Sequence, residues 1–218
     1  MYQNILFDLD GTLTNSELGI TNSVAYALEK FGIEVQDKKE LRVFIGPPLK
    51  YSFEHFYGFS EEESLQAVEY YREYFSEKGL YENEVYKGIR EILSSLKQAD
   101  KKLIVATSKP EKFSTQILKH FDLYDYFDFV AGATMDGSRS KKADVIGYAL
   151  EKTKIKNLSE TIMVGDREHD IIGAQIQKIE SIGVLYGFGT KEELEKAGAT
   201  FIIKDVCELE NLLLFKKA

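Results

Sequence analysis

The chain has 218 residues, of which 44% are hydrophobic, so it can bury a sizeable core and is too apolar for an intrinsically disordered protein. Its 28 Lys and Arg against 36 Asp and Glu give a formal net charge of −8, which disfavours binding to nucleic-acid phosphates. The sequence contains no apolar run of the roughly 18 residues that cross a membrane, no signal-peptide pattern, and only one cysteine, Cys207. We therefore expect a cytoplasmic monomer without a nucleic-acid or membrane partner.

Six short apolar segments predict the strands of a sheet. They are residues 4–8, 103–107, 127–131, 161–165, 181–186 and 201–203. Segments with helical spacing of apolar residues lie between the later ones. Nearly continuous apolar strands that alternate with amphipathic helices are typical of a parallel sheet with helices on both faces. The sequence therefore predicts an α/β fold with a doubly wound, Rossmann-like parallel sheet.

Residues 16–81 interrupt this alternation, because they carry helical patterns and no convincing strand. Ser60 and Glu63 form a capping-box pattern at the start of one of these helices. An insertion of about 65 residues is far longer than an ordinary loop between a strand and a helix. We predict a helical domain at 15–82, inserted into a core domain formed by 1–14 and 83–218.

Two carboxylates, Asp8 and Asp10, stand at the end of the first predicted strand and are followed by Gly11. Two acids beside an apolar strand are costly unless a cation neutralises them, and a hard divalent cation with oxygen ligands would do so. A lone Asp-x-Asp pair would more simply be a solvated turn. The longer string from residue 7 to 14 favours the metal-site interpretation.

The fourth predicted strand also ends in acids, Asp166 and Asp170. Asp166 alone could equally cap a helix. In a doubly wound sheet, however, the first and fourth strands meet at the point where the strand order reverses, and ligands bind at their carboxyl ends. This topology predicts that Asp8, Asp10 and Asp166 lie close together.

Two further sequence segments predict a phosphate-binding site. The second strand ends in Thr107 and Ser108, whose hydroxyls and backbone amides can bind an anion, although a plain helix cap is the alternative. Lys141 and Lys142 precede another helical run, where a cation is unfavourable against the helix dipole unless an anion compensates it. At least one of these adjacent lysines is expected to be exposed.

Together these motifs resemble those of the haloacid dehalogenase superfamily of phosphohydrolases, in particular its phosphoglycolate phosphatase-like branch with a helical cap. The resemblance extends over essentially the whole chain, and its four motifs are residues 8–12, 107–110, 141–142 and 165–170. The third motif departs from the Lys-Pro-x-Pro pattern of many relatives, since Ala143 follows Lys142. We prefer Lys142 as the family's lysine because it directly precedes the helical run. The resemblance implies that the helical insertion is the cap.

The resemblance also implies a mechanism that agrees with the chemistry of the residues. Asp8 is the nucleophile that forms an aspartyl-phosphate, and Asp10 is the general acid and base. Mg²⁺ is held by Asp8, the backbone carbonyl of Asp10, and Asp166.

The remaining motif residues are implied to bind or orient the phosphoryl group. Thr107, the backbone amide of Ser108, and Lys142 bind its oxygens. Asp170 orients Lys142 or a metal-bound water.

The substrate is expected to be a small phosphomonoester. Arg42 in the insertion would suit a small anionic leaving group such as glycolate, whereas the aromatic residues there could accept a nucleoside. A phosphoglycolate-like phosphomonoester is therefore the first candidate, and a 5′-nucleotide is the alternative. A phosphomutase shares these motifs, and a non-catalytic phosphate-binding module is an alternative of a different class, which the presence of Asp10 disfavours.

Overall fold

The computed structural model describes residues 2–215 and shows a mixed arrangement of strands and helices. In chain order the strands are β1 (Asn4–Phe7), β2 (Thr14–Asn15), β3 (Glu84–Val85), β4 (Lys102–Pro110), β5 (Phe129–Ala133), β6 (Thr161–Gly165), β7 (Glu180–Val184) and β8 (Phe201–Ile203). The α-helices are α1 (Glu17–Lys30), α2 (Leu49–Tyr57), α3 (Glu61–Tyr74), α4 (Ile89–Gln98), α5 (Glu111–His120), α6 (Lys142–Lys152), α7 (Glu168–Ile176), α8 (Lys191–Ala197) and α9 (Val206–Leu214). Within the described range, none of these helices has both the length and the apolar content to cross a membrane.

Six strands form one parallel sheet in the order β5-β4-β1-β6-β7-β8. This order confirms the predicted doubly wound fold. Strand β1 pairs with β4 on one side and β6 on the other, so that Phe7 lies opposite both Val105 and Val164. The strand order reverses at β1, and a crevice at this position is where doubly wound sheets bind their ligands.

The strands next to this crevice are apolar because both faces of the sheet are covered. Ile5, Leu6 and Phe7 of β1 are fully buried. One face packs against α6 and α7 in a cluster that includes Leu6, Ile104, Met163, Val145, Ile146 and Ala174. Full burial of such a side chain contributes about 1.5–3 kcal/mol to the free energy of folding. This packing therefore holds the carboxyl ends of β1, β4 and β6 in fixed positions.

The chain divides into two compact units, of which the second is Asn15–Glu84. That unit contains α1, α2 and α3, a 3-10 helix at Lys38–Phe44 and a π-helix at Phe75–Gly79. The predicted capping box is present, since Ser60 Oγ accepts from the amide of Glu63 and Glu63 Oε2 accepts from the amide of Ser60. The two-residue strands β2 and β3, which the sequence did not predict, pair where the chain enters and leaves this unit.

Candidate active site

A tight loop after β1 places Asp8 and Asp10. The amide of Asp8 donates to the carbonyl of Val164 at 2.9 Å, which extends the pairing of β1 with β6 by one residue. Gly11 then adopts a φ of +80°, and its amide donates to the carbonyl of Thr14 at 2.7 Å. A Cβ at position 11 would overlap the carboxylate of Asp166, so glycine is required for both the turn and the close approach.

Lys142, at the start of α6, lies between two buried carboxylates. Its Nζ is 2.7 Å from Oδ1 of Asp8 and 2.7 Å from Oδ1 of Asp170, and it donates to the carbonyl of Ala106 at 3.2 Å. Burial lowers the pKa of Lys142, but the charges of Asp170 and Asp8 outweigh burial and raise it above its usual value. Lys141, the residue before the helix, is exposed. Of the two candidate lysines, the structure therefore brings Lys142 to the carboxylates.

Asp166 completes a cluster of acids at the end of β6. One carboxylate oxygen from each of Asp8, Asp166 and Asp170 lies within 4.8 Å of the others, and all three residues are buried. Burial raises the pKa of Asp8 to about 6 despite the opposing charge of Lys142. Burial, together with the charges of Asp170 and Asp8, raises the pKa of Asp166 well above its usual value. These acids are therefore costly to ionise together.

A second buried lysine, Lys109, pairs with Asp10, and the sequence motifs did not indicate a role for it. Nζ of Lys109, near the end of β4, lies 2.7 Å from Oδ2 of Asp10. The side chains of Lys109 and Asp10 are 6% and 12% exposed. The signal in the sequence was a lysine directly after Thr107 and Ser108, at the end of a strand adjacent to the one that carries the acids.

The loop after β7 forms the wall beside Asp166. The amide of Phe188 donates to Oδ2 of Asp166 at 2.8 Å. A Cβ at Gly187 would overlap the side chain of Asp166, and one at Gly189 would overlap its backbone carbonyl. Because Gly187 and Gly189 have no side chains, the backbone of this loop can reach the carboxylate of Asp166.

The other predicted site residues lie in two places. Thr107 is buried at the end of β4, where its hydroxyl accepts from the amide of Lys109 at 3.3 Å, and Ser108 beside it is half-buried. Arg42 lies in the Asn15–Glu84 unit, where its Nε is 2.7 Å from Oε1 of Glu17 and a second guanidinium nitrogen is 2.8 Å from Oε2. This two-bond ion pair already compensates the charge of Arg42.

The charges of the site fit a bound divalent cation. Lys142 pairs with Asp8 and Asp170, and Lys109 pairs with Asp10, whereas Asp166 accepts from the amide of Phe188. When all four carboxylates are ionised, they exceed the two ammonium groups by two negative charges. Buried carboxylates of this number are stable when they pair or bind a metal, and oxygen donors suit Mg²⁺. Both oxygens of Asp170 are occupied, since Oδ2 accepts from the amide of Arg167 at 3.1 Å while Oδ1 pairs with Lys142.

Comparison with known proteins shows which family the chain resembles. Residues 5–184 match the family of haloacid dehalogenase-like hydrolases. A 5′-nucleotidase of Pseudomonas aeruginosa is 43% identical over 97% of this chain and 96% of that protein. The tyrosine-protein kinase PtkA of Mycobacterium tuberculosis is 38% identical over 92% of this chain and 68% of that protein. A phosphoglycolate phosphatase of Vibrio parahaemolyticus is 27% identical over 94% of this chain and 93% of that protein.

Among solved structures, a crystal structure described as a predicted phosphatase from Clostridium acetobutylicum superimposes with a TM-score of 0.96. It is 54% identical in sequence, and the match covers 98% of this chain and 99% of that one.

Proposed function

Since the chain belongs to the haloacid dehalogenase-like hydrolases and is a phosphatase, we propose that it hydrolyses a small phosphomonoester with Mg²⁺, through an aspartyl-phosphate on Asp8. The observation that supports the proposal is the group of buried acids where the strand order reverses, in which Asp8 lies close to Asp166 and pairs with Lys142. In this proposal residues 15–82 act as the cap of a core formed by 1–14 and 83–218.

Asp8, Asp166 and the backbone carbonyl of Asp10 would hold the metal ion. The bound ion would supply positive charge that screens the nucleophile from the phosphate and polarises the phosphoryl oxygens. The buried acids near Asp8 support this assignment, because their raised pKa values reflect a site that stabilises ionised carboxylates poorly without a cation.

Asp8 and Asp10 have different roles in the proposed reaction. A carboxylate oxygen of Asp8 attacks phosphorus as the bond to the leaving oxygen breaks, and Asp10 gives that oxygen a proton. In the second step Asp10 takes a proton from water, whose oxygen displaces Asp8 from phosphorus. Asp8 is held for this attack by its backbone hydrogen bond to β6 and by its ion pair with Lys142.

Lys142 and the end of β4 would bind the phosphoryl oxygens. Lys142 is fixed by Asp170 on its far side, so its charge stays in the crevice while negative charge develops on the transferring group. Thr107 and the amide of Ser108 follow the part of β4 that pairs with β1, which ends at Val105, and they would bind the remaining oxygens.

For the substrate, a nucleoside 5′-monophosphate is favoured over phosphoglycolate. The chain is more similar to the Pseudomonas 5′-nucleotidase than to the Vibrio phosphoglycolate phosphatase. Arg42, the cation that suited glycolate, is already engaged by Glu17. Phosphoglycolate stays the second candidate, because it is the substrate named for that Vibrio relative.

The test is release of inorganic phosphate from nucleoside 5′-monophosphates, 2-phosphoglycolate and other phosphorylated metabolites, with and without Mg²⁺. We expect Asp8→Asn to reduce turnover to background and to trap no phosphoenzyme, because the variant lacks the nucleophile. Asp10→Asn should lose on the order of 10²- to 10⁴-fold on alkyl esters. Asp205→Asn is the matched control, since Asp205 caps α9 and Asn caps a helix equally well.

Two outcomes would contradict the proposal. Phosphate release near the wild-type rate by Asp8→Asn would place the nucleophile elsewhere. Transfer of phosphate to a second sugar hydroxyl without release would indicate a phosphomutase.

A further inference from the structure

The ion pair between Lys109 and Asp10 joins two strands of the sheet at the site. Lys109 comes from the end of β4 and Asp10 from the loop after β1, 99 residues apart in the chain. Nζ of Lys109 donates to Oδ2 of Asp10 at 2.7 Å, and both side chains are almost fully enclosed. A long lysine side chain held at this depth has lost much of its rotamer freedom, so the contact fixes the direction of the Asp10 carboxylate.

The two oxygens of Asp10 differ. Oδ2 accepts from Lys109, whereas Oδ1 is buried and has no hydrogen-bond partner among residues 2–215. Buried carboxylate oxygens are ordinarily satisfied, and exceptions tend to have a functional or strain-related reason. Because Nζ of Lys109 donates a hydrogen bond to Oδ2, Oδ1 is the oxygen of Asp10 that is left to exchange a proton with a reacting group.

We propose that Lys109 is a positioning residue that anchors Oδ2 of Asp10 so that Oδ1 performs both proton transfers. The inference rests on the proposed role of Asp10 as general acid and base. In the first step the proton leaves Oδ1 for the leaving-group oxygen as its bond to phosphorus breaks and the bond from Asp8 forms. In the second step Oδ1 takes a proton from water, as the water oxygen bonds to phosphorus and the bond to Asp8 breaks.

The test compares two esters of similar shape whose leaving groups differ in their need for a proton. Phenyl phosphate releases a basic phenolate, whereas 4-nitrophenyl phosphate releases an anion that is stable without protonation. With Lys109→Met we expect kcat/KM to fall on the order of 10²-fold for phenyl phosphate, since a small misplacement of a proton donor has this effect. The fall with 4-nitrophenyl phosphate should be less than about 10-fold.

Two further variants separate positioning from folding. Lys109→Arg keeps a cation and N–H donors, so it should recover most of the activity on phenyl phosphate. Lys101→Met is the matched control, because Lys101 is 4% exposed and its Nζ donates to the carbonyl of Tyr2 at 2.7 Å, at the opposite end of β4. It should leave the ratio of the two esters unchanged.

A double variant gives a second measurement, on the best alkyl phosphate of the substrate panel. If Lys109 acts through Asp10, then Lys109→Met adds almost no loss to Asp10→Asn. Equal losses on both esters, or losses that multiply in the double variant, would overturn the inference and leave Lys109 a structural residue. The proposed function fails separately, if wild-type protein releases no phosphate from any ester or Asp8→Asn stays active.

Discussion

Replacing Lys142 by Met removes one positive charge from between two buried carboxylates and keeps most of the side-chain volume. Nζ lies 2.7 Å from Oδ1 of both Asp8 and Asp170, and the side chains of Lys142, Asp8 and Asp170 are 4%, 7% and 1% exposed. Removal of one partner of a buried ion pair costs about 3–5 kcal/mol, because the other charge stays desolvated. Since two carboxylates lose the same partner, we expect a loss of about 5 kcal/mol in the free energy of unfolding.

Lys141→Met is the matched control, because this neighbouring lysine is exposed and has the same chemistry. A surface substitution of this kind changes stability by less than about 0.5 kcal/mol. The assay is urea unfolding in excess chelator, followed by far-UV circular dichroism. Phosphate release is measured separately, on the same protein preparations with Mg²⁺ present. The deficit of Lys142→Met should shrink as the pH falls, because protonated carboxyl groups no longer need the cation.

Two results would contradict this prediction. One is a free energy of unfolding for Lys142→Met within about 1 kcal/mol of the wild-type value. The other is a loss of stability or activity in Lys141→Met as large as that in Lys142→Met. Either result would mean that the two carboxylates do not depend on this lysine.

Three other predictions concern the same crevice. In chelator, the folded-state pKa of Asp8 is raised to about 6, above that of the unfolded chain, so its contribution to stability is full at low pH and lost as the pH rises through 6. The stability of wild type relative to Asp8→Asn should therefore fall by about 2–3 kcal/mol between about pH 4 and pH 7, and a constant difference would contradict this. Chelation of Mg²⁺ should abolish phosphate release and its return should restore it, whereas full turnover in excess chelator would exclude the metal. Gly187→Ala should cost about 1–3 kcal/mol and lower activity, because the added methyl overlaps Asp166. Gly137→Ala, where there is open space, should cost only about 1 kcal/mol of backbone strain and leave activity intact.

The sequence alone was sufficient to predict the parallel sheet and the acids at its edge. A strand such as β1, which is buried on both faces, must be apolar along its length. Such a strand is therefore recognisable in the sequence as a short continuous run of apolar residues. Asp8 and Asp166 directly follow such strands, and Asp10 lies in the loop after β1. The reversal of strand order predicted that these three acids would lie close together.

The tertiary structure alone decided which side chains partner these acids. Lys109 and Asp10 are 99 residues apart, and Phe188 and Asp166 are 22 residues apart. The local spacing of residues in the sequence does not indicate either contact. Each contact depends on which strands become neighbours and on the final position of a side chain or loop after packing. Arg42 shows the same limit, since its pairing with Glu17 is set by the packing of the helical unit and could not be read from its charge. The sequence by itself determines the chemistry of each residue and its local spacing. The partner of a buried charge is determined by the tertiary structure, because an unpaired charge becomes costly only when packing removes it from water.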